Sequence, residues 1–359
     1  MRAGRPALSA PACAGVIGGI CLKLLVTGGA GFIGSNFLFY MREKHPQTEL
    51  VCLDKLTYAG DAETLAPFCG APGFAFVRAD VADGAALDAA LEEHRPDAVV
   101  HFAAESHVDR SIADPSVFVR TNTAGTQALL EACRRHGVER FHHVSTDEVY
   151  GDLDGTEGRS AENAPLRPSS PYAASKAGAD LLCAAYARTY GMFVTVSRSS
   201  NNYGPYQFPE KLIPRMVVSA LRGEPLPVYG DGLQVRDWLH VRDHCAAVDR
   251  ILQAGRAGRV YNVSAHCERR NIDVVRLILE ELGLPRSRSR PGAAGPGHDR
   301  RYAADASRLR EELGWEPETD FAAGLRAAVR WYLAHRPWWE HILSGEYQSA
   351  YARLFAPGR

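Results

Sequence analysis

One glycine-rich turn constrains this chain more than any other feature. Residues 27–34 read TGGAGFIG and directly follow the apolar run at 24–26. Gly28, Gly31 and Gly34 let the backbone turn sharply and bring N–H groups close to a pyrophosphate at the start of a helix. Asp54 stands 20 residues beyond Gly34, where an acid binds an adenosine ribose and disfavours a 2′-phosphate. The turn predicts a dinucleotide-binding unit that takes NAD; the alternative is an ordinary strand–helix turn with a solvent-facing aspartate.

Beyond that turn, short apolar runs alternate with amphipathic stretches. Strands are predicted at residues 24–26, 50–53, 74–77, 98–102, 141–144 and 193–196, and helices at 34–44, 85–94, 125–136 and 173–190. Such alternation with short links predicts an α/β fold, a Rossmann-type doubly wound parallel sheet with right-handed crossovers. Ligands of such sheets lie at the carboxyl ends of the strands, where Asp80 and Val81 follow the third strand and residues 103–107 the fourth.

The texture of the chain changes after residue 200, where prolines and glycines separate shorter elements. We therefore expect an NAD-binding Rossmann domain at residues 23–200. The chain is expected to return to it near residues 235–265. Residues 201–359 are expected to form mainly a smaller, substrate-binding C-terminal lobe.

Two segments of this lobe have signals of their own. Asn271 is expected to cap a helix that runs to Leu282 and ends before Gly283. Residues 285–297 (PRSRSRPGAAGPG) are of low complexity, and we expect a mobile loop there.

Composition excludes several classes of protein. Of 359 residues, 46% are hydrophobic, and 41 Lys and Arg against 42 Asp and Glu give a net charge of −1. This balance argues against a disordered chain and against binding to nucleic acid or an anionic membrane surface. Because no run of 18 apolar residues occurs, the sequence predicts no membrane-spanning helix.

The N-terminus and the cysteines bear on localisation. Residues 1–22 faintly resemble a signal peptide, but Pro11 interrupts an apolar stretch that is already short. A flexible N-terminal extension and a cytoplasmic protein are expected instead. The eight cysteines are scattered without a CxxC pair, which favours reduced thiols over disulfides or a metal site.

Tyr172 and Lys176 lie four residues apart at the start of a predicted helix, so they share one face. A neighbouring ammonium favours a phenolate and lowers its pKa from near 10, and such a base can take a proton from an alcohol. The alternative is an ordinary surface pair. The dinucleotide turn about 140 residues earlier favours the catalytic interpretation.

Thr146, Asp147 and Glu148 follow the predicted fifth strand. Two adjacent carboxyls are more than the oxidation of an alcohol requires. If one is protonated and the other ionised, they can act as acid and base on one substrate. The alternative, an aspartate that caps a loop and a glutamate in solvent, stays open on spacing alone.

Taken together, these motifs resemble those of the extended short-chain dehydrogenase/reductase family, and within it the dTDP-glucose 4,6-dehydratases. The resemblance spans residues 22–352. It rests on blocks at residues 23–36, 53–60, 101–112, 143–151, 171–176, 199–214, 228–244 and 297–303.

The resemblance implies a mechanism on dTDP-glucose with bound NAD. Tyr172, helped by Lys176 and Thr146, is expected to deprotonate the 4-hydroxyl while C4 gives up its hydride. Glu148 then removes the C5 proton, and Asp147 protonates the departing 6-hydroxyl. Return of hydride to C6 and of a proton to C5 completes a 4-keto-6-deoxy sugar, so NAD is expected to stay bound. The family is usually homodimeric, pairing the helices after Gly125 and Pro171.

The resemblance also implies two sets of binding residues. Besides the turn glycines, Tyr172 and Lys176, the NAD set is Phe32, Ile33, Asp54, Lys55, Leu56, Thr57, Asp80, Val81, Ala103, Ala104, Glu105, Ser106, Thr121 and Asn202. The set for the sugar nucleotide is His107, Thr146, Asn201, Glu210, Lys211, Leu212, Pro227, Val228, Tyr229, Arg236, Asn271 and His298. Arg236 is expected on the diphosphate, because its planar fork forms charge-assisted hydrogen bonds.

Some positions depart from the family pattern and bear on the nucleotide. Ala294 and Gly295 replace an aspartate–arginine pair, Cys267 replaces an asparagine, and Arg288 or Arg290 is a candidate substitute contact. UDP-glucose therefore stays open as a substrate. A nucleotide-sugar 4-epimerase is the alternative enzyme, although it needs no acid–base pair for C5 and C6. A catalytically silent NAD-binding regulator is disfavoured because the catalytic residue types are all present.

Overall fold

A seven-stranded parallel sheet dominates the molecule, for which a computed structural model describes residues 23–292 and 299–345. In chain order its strands are β1 (Lys23–Thr27), β2 (Glu49–Asp54), β3 (Phe74–Arg78), β4 (Ala98–His101), β5 (Arg140–Thr146), β6 (Val194–Ser199) and β10 (Val260–Val263). They lie side by side in the order β10-β6-β5-β4-β1-β2-β3. After β3 the chain crosses back past β1 to begin β4. The carboxyl ends of β1 and β4 therefore open a crevice where ligands of such sheets bind.

Helices cover both faces of this sheet. They are α1 (Phe32–Lys44), α2 (Gly84–His94), α3 (Val108–Ala113), α4 (Pro115–Phe118), α5 (Gly125–His136), α6 (Pro171–Tyr190) and α8 (Val241–Ala254), with a π-helical turn at Val119–Ala124. One core cluster packs α2, α5 and α6 on one face, and another packs α1 and α8 on the other. Both faces are apolar because parallel strands are buried on both sides.

A smaller lobe is built around two short sheets. One contains β7 (Asn201–Tyr203), β9 (Val235–His240) and β11 (Glu268–Arg270), and the other pairs β8 (Leu226–Tyr229) with β12 (Ser289–Gly292). Its helices are α7 (Leu212–Leu221), α9 (Asn271–Glu281), α11 (Phe321–Ala334) and α12 (Arg336–Ser344). Helix α10 (Ser307–Leu313) packs instead against β10 of the large sheet and against α8. Most of the lobe has its own core, in which α7, α9 and α11 pack against β8 and β9.

The last helix, α12, ties this lobe back to the first domain. The Trp338 indole Nε1 donates to Thr64 Oγ1 at 3.1 Å, and His341 Nε2 lies 2.9 Å from Glu63 Oε2. Both partners belong to the 3₁₀ segment Ala62–Phe68. That segment follows the loop that carries Thr57, Ala59 and Gly60 into the cleft.

The α/β class and all six predicted strands of the first domain are confirmed, with ends shifted by a few residues. The cap prediction at Asn271 was wrong by one residue. Helix α9 begins at Asn271, and Arg270 holds the cap position without a side-chain hydrogen bond. A capping side chain must lie outside the helix to reach its first amides, and that of Asn271 lies inside it.

The prediction of a mobile loop at residues 285–297 was wrong over its first part. A 3₁₀ turn at Arg286–Arg288 leads into β12, which pairs in parallel with β8. Ladder hydrogen bonds need only the backbone, so a neighbouring strand can order a segment whose composition is typical of a loop. Residues 293–297, His298 and the predicted extension at 1–22 lie outside the described residues.

Candidate active site

A single cleft runs along the carboxyl ends of the sheet strands. One side, here called the sheet wall, consists of these strand ends and the loops that follow them. The other side, here called the lobe wall, consists of the segment 201–211, which lines the cleft, and of β9 and residues 299–302, which lie at its border. Each wall positions its side chains by different means.

The glycine turn forms one end of the sheet wall through close backbone contacts. A Cβ on Gly28 would lie 2.5 Å from Ala103 N, and one on Gly34 would lie 2.2 Å from Gly28 O. Gly28 also has a φ of +71°, which strongly favours glycine. Any side chain at these positions would displace backbone and fill the space that leads to the start of α1. The geometry leaves that helix start open toward an anionic group.

Asp54, at the end of β2, holds the turn in place. Its Oδ2 accepts from Ala30 N at 3.0 Å and its Oδ1 from Leu56 N at 2.8 Å. Burial raises the pKa of this carboxyl, and the two backbone hydrogen bonds oppose that rise. Nearby, Lys55 Nζ lies 2.7 Å from Asp80 Oδ2. These groups place acceptors where a ribose would lie.

The catalytic pair predicted on α6 lies at the middle of the cleft. Pro171 begins the helix, and the Ser170 side chain caps it through Ala173 N. Tyr172 and Lys176 are both buried and line the cleft together. The one-turn separation thus brings phenol and ammonium to the same face, and a surface pair is ruled out.

The expected lowering of the Tyr172 pKa was wrong for the protein alone. Burial, with the charge of Glu148 acting in the same direction, raises the pKa of this phenol, and the hydroxyl of Thr146 opposes the rise. Lys176 Nζ is directed to the Val144 carbonyl at 2.8 Å. Burial lowers the pKa of Lys176 to about 8. The cost of burying the phenolate therefore exceeds what the neighbouring cation contributes.

Thr146, Asp147 and Glu148 lie where β5 ends and a 3₁₀ turn begins. The Thr146 hydroxyl caps this turn by accepting from Glu148 N at 3.2 Å. Asp147 is buried, and its Oδ2 has no hydrogen-bond partner. Burial and the charges of Glu148 and Asp237 raise the pKa of Asp147 well above its usual range, although Arg236 opposes them. The raised pKa favours the protonated form of Asp147, and the neighbouring Glu148 carboxyl is half-buried. An acid and a base on adjacent residues would need such a difference between the two carboxyls.

The lobe wall reaches the cleft through a charged segment. Lys211 Nζ donates to Ser106 O at 2.7 Å across the cleft. Glu210 Oε2 lies 3.7 Å from His107 Nε2 and 3.6 Å from Arg110. Arg110 in turn stacks 3.5 Å from the ring centroid of Tyr58. These contacts connect the two walls above the catalytic groups.

Arg236 occupies the far end of the lobe wall. Its guanidinium donates to Val235 O at 2.8 Å and Asp299 O at 2.9 Å, and it lies 4.5 Å from the ring centroid of Tyr302. The Tyr302 hydroxyl donates to Asp299 Oδ2 at 2.8 Å. Burial and the charge of Glu148 raise the pKa of Tyr302, so this phenol lies within electrostatic reach of the Glu148 carboxyl.

The structure brings most of the predicted site residues together. All predicted NAD residues except Leu56 line the cleft, and so do Thr146, Asp147, Glu148, Asn201, Glu210 and Lys211. Leu56 instead gives its amide to Asp54 and has a φ of +58°. Six of the remaining sugar-nucleotide residues do not line this cleft: His107, which precedes α3, and Leu212, Pro227, Val228, Arg236 and Asn271 of the smaller lobe. Tyr229 is the last residue of β8.

Sequence reasoning missed several residues of the cleft. They are Ala59, Gly60, Phe102, Ser145, Ser199, Ser200, Gln207 and Phe208 on its lining, with Tyr58, Arg110 and Tyr302 at its border. Ser199 is the last residue of β6, and Ser145 is the last but one of β5. Positions at the carboxyl ends of strands predict ligand contact in such a sheet.

Orphaned polar atoms test whether this cleft suits a dinucleotide and a sugar. Ser145 Oγ, Ser200 Oγ, Asn201 Oδ1 and Gln207 Oε1 are buried without a hydrogen-bond partner. Buried polar atoms usually find partners, so these atoms call for a polar ligand. With the glycine turn and Asp54 at the other end, the residues present fit NAD and a hydroxylated substrate.

Two further observations concern metal ions and membranes. Among the described residues, His, Cys, Asp and Glu form no group of three or more that could hold a metal ion. Within the same ranges, no helix has both the length and the apolar composition needed to cross a membrane.

Comparison with known proteins identifies similar sequences and structures. The family model described as GDP-mannose 4,6 dehydratase matches residues 25–328. A dTDP-glucose 4,6-dehydratase of Neisseria meningitidis is 49% identical over 91% of this chain and 97% of its own, and one of Xanthomonas campestris is 51% identical over 90% and 97%. A solved dTDP-glucose 4,6-dehydratase from Streptomyces venezuelae, with NAD and TYD bound, is 49% identical with a TM-score of 0.86 and covers 89% of this chain and 100% of that one. A solved UDP-glucose 4-epimerase from Thermus thermophilus, in complex with NAD, is 32% identical with a TM-score of 0.81 and covers 88% and 100%.

Proposed function

The chain belongs to the GDP-mannose 4,6 dehydratase family, and we propose that it converts dTDP-glucose to dTDP-4-keto-6-deoxyglucose as an NAD-dependent hydro-lyase. One observation carries this proposal. A buried acid with a raised pKa, Asp147, adjoins the carboxyl of Glu148 at the strand end that also faces Tyr172 and Lys176. Removal of water from a sugar needs an acid and a base on neighbouring atoms, and this pair supplies them.

The chain's own residues handle the protons. The Tyr172 phenolate takes the proton of the 4-hydroxyl. Glu148 removes the proton from C5, which the 4-ketone has made acidic, and Asp147 gives its proton to the departing 6-hydroxyl. Once C6 has received hydride, Glu148 returns the proton to C5. The proton taken by Tyr172 balances the one given by Asp147, so the sugar loses one water overall. NAD, when bound, supplies the hydride acceptor for C4, the hydride donor for C6, and a positive charge that favours the phenolate. Since the cofactor ends each cycle as it began, it stays bound between turnovers.

The acid–base pair also separates this reaction from 4-epimerisation. Epimerases share the fold and the cofactor, as the similarity to the Thermus thermophilus enzyme illustrates. An epimerase has no group to remove at C6, so a buried neutral acid beside a carboxylate would have no task there. The higher identity to dTDP-glucose 4,6-dehydratases agrees with the dehydratase.

The two walls receive separate binding roles in this proposal. Residues 23–200, with the return near 235–265, hold NAD through the sheet wall. Residues 201–359 hold mainly the sugar nucleotide, with Asn201, Glu210 and Lys211 on the hexose. Arg236 remains the proposed contact to the diphosphate. This role is supported by its burial at the border of the cleft and by its positive charge, which acts to lower the pKa of Asp147.

The proposed assembly is a homodimer in the cytoplasm. Helix α6 exposes Leu181 and Tyr190, and Ile112, Val117 and Val119 are exposed on the neighbouring segment. An apolar patch shared by adjacent helices suits a symmetric contact with a second copy. The cytoplasmic assignment is supported by free thiols on the six cysteines of the described ranges.

The deciding experiment uses the purified protein without added NAD. Incubation with dTDP-glucose is expected to produce the alkali-induced absorbance of a 4-keto sugar, and a parallel incubation with UDP-glucose measures nucleotide preference. A galactose nucleotide as the product would establish epimerisation. Protein that contains no dinucleotide and cannot be loaded with it would overturn the proposal.

A further inference from the structure

Helix α6 carries a third charged group behind the catalytic pair. Asp180 follows Lys176 by one turn, as Lys176 follows Tyr172, so all three lie along one face of the helix. Lys176 and Asp180 are 3% and 4% exposed. The proposed chemistry assigns no proton transfer to Asp180, yet a charged group is rarely buried without a partner.

The imidazole of His143, on β5, lies between the two charges. Its Nε2 is 3.4 Å from Lys176 Nζ and 3.7 Å from Asp180 Oδ1. Burial and the charge of Lys176 lower the pKa of His143 well below its usual range, so the ring is neutral. The Asp180 carboxylate therefore acts on the Lys176 ammonium across an uncharged ring in a buried site, where charges are poorly screened.

Asp180 has a second cationic partner on the other side. Arg198 Nε, on β6, donates to Asp180 Oδ2 at 2.7 Å. The guanidinium also donates to the Tyr150 hydroxyl at 2.9 Å and to Glu162 O at 3.3 Å. The other carboxylate oxygen, Oδ1, has no hydrogen-bond partner and is the one that faces His143 and Lys176.

Charged and titratable groups surround Lys176 on several elements. The titratable and charged groups are His101 on β4, His143 on β5, Arg198 on β6, Asp147 and Glu148 after β5, and Tyr172, Asp180 and Cys183 on α6. Burial lowers the pKa of Lys176 to about 8, and among these groups Asp180 most strongly opposes the fall. His101 is itself neutral because burial lowers its pKa to about 3.

We propose that Asp180 is a positioning residue that keeps the Lys176 ammonium charged during turnover, and that Arg198 limits this effect by competing for the carboxylate. The inference rests on the proposed function, in which a charged Lys176 supports the Tyr172 phenolate. A lysine that is close to neutrality at working pH makes the enzyme sensitive to any group that favours its charge.

The test removes the charge of the Asp180 side chain and keeps its shape. In Asp180→Asn, the alkaline limb of the pH profile of kcat is expected to move to lower pH by about one unit, because Lys176 loses its proton earlier as pH rises. Asp180→Glu is expected to restore most of the shift. Asp249→Asn is the matched control, since Asp249 is also buried and pairs with His45 at 2.9 Å, remote from the cleft. An unchanged limb in Asp180→Asn, or an equal shift in Asp249→Asn, would overturn the inference.

A second measurement does not depend on turnover. In protein labelled with ¹³C at lysine Cε, NMR titration follows the ionisation of Lys176, whose signal is assigned by its loss in Lys176→Met. A lower titration midpoint in Asp180→Asn supports the inference even if no substrate is turned over, and an identical midpoint refutes it. Absent turnover in the wild type would count against the proposed function alone.

A third variant has the opposite expected sign. Arg198→Gln removes the competing cation, so the Lys176 midpoint is expected to rise. This variant decides the question if Asp180→Asn does not fold, and a midpoint that stays in place would then contradict the inference.

Discussion

The sheet wall and the lobe wall of the cleft differ in how their groups are held. On the sheet wall, positions are set by the backbone: the glycine turn touches residue 103, and Asp54 accepts two main-chain amides. On the lobe wall, long side chains such as Arg236 and Lys211 reach across to carbonyls of other segments. A wall built from backbone contacts tolerates almost no change, whereas one built from side chains can be modified position by position.

This difference predicts where substitutions abolish function and where they only weaken binding. The first prediction concerns the catalytic carboxylate on the sheet wall. Glu148→Gln is expected to lower kcat about 100-fold or more, since a positioned base contributes roughly that much, while the bound NAD content stays unchanged. Assay of 4-keto product and NAD released on denaturation checks both.

The control is Glu139→Gln, an exposed glutamate beside the opposite end of the same strand. It is expected to leave kcat unchanged. Wild-type turnover by Glu148→Gln would remove Glu148 from its role as the C5 base.

The second prediction concerns the close backbone contact between Gly34 and Gly28. In Gly34→Ala, the added Cβ would meet Gly28 O at 2.2 Å, so we expect a loss of about 2 kcal/mol in stability and a protein purified without NAD. Thermal unfolding and NAD content are the measurements. Gly84→Ala, where a Cβ meets nothing within 4 Å, should retain both properties. Full NAD occupancy in Gly34→Ala would show that the turn can relax.

The third prediction tests the lobe wall. Arg236→Met is expected to raise KM for dTDP-glucose about tenfold, in line with losing one hydrogen bond to a charged group, without loss of NAD. Arg242→Met removes an arginine paired with Glu43 far from the cleft and should not alter KM. If the variant loses NAD and keeps its KM, the division of roles between the walls is wrong.

The smallest expected effect concerns the strand that replaces the predicted loop. Arg290 is exposed and opposite Pro227 in the β8–β12 pair, whereas Arg288 donates to Gly223 O at 2.7 Å. Arg290→Ala is expected to raise KM two- to threefold, the roughly 0.5 kcal/mol typical of an exposed charge, and Arg288→Ala less. Steady-state kinetics at low ionic strength compares KM in the two variants. If Arg288→Ala raises KM as much as Arg290→Ala or more, Arg290 is not a nucleotide contact.

The sheet wall was also the easier wall to predict from sequence. Most of its strands contain a short apolar run, and its cleft-lining residues lie at or just after the strand ends, as with Asp54, Ala103 and Thr146. On this wall, the sequence pattern that predicts a strand also predicts which residues line the cleft. The proposed roles of these residues still depend on the resemblance and on the experiments above.

The short elements outside the main strands were harder to predict. Helices α3 and α4, the π-helical turn and β12 have lengths of four to six residues, too short for a periodic signal. Arg110 in α3 and Tyr302 in the segment after residue 299 come to the border of the cleft only through the tertiary fold. Nothing in the local sequence indicates such contacts.

The attachment of α12 has a consequence for the order of biosynthesis. Trp338 and His341 secure the segment that begins at Ala62, next to the loop at the adenosine end of the cleft. The ribosome makes the glycine turn long before this clasp, because most of the sheet and of the smaller lobe lie between them in sequence. A nascent chain can therefore form the first strands of its sheet early, but the loop at the adenosine end gains this support only once α12 has been made.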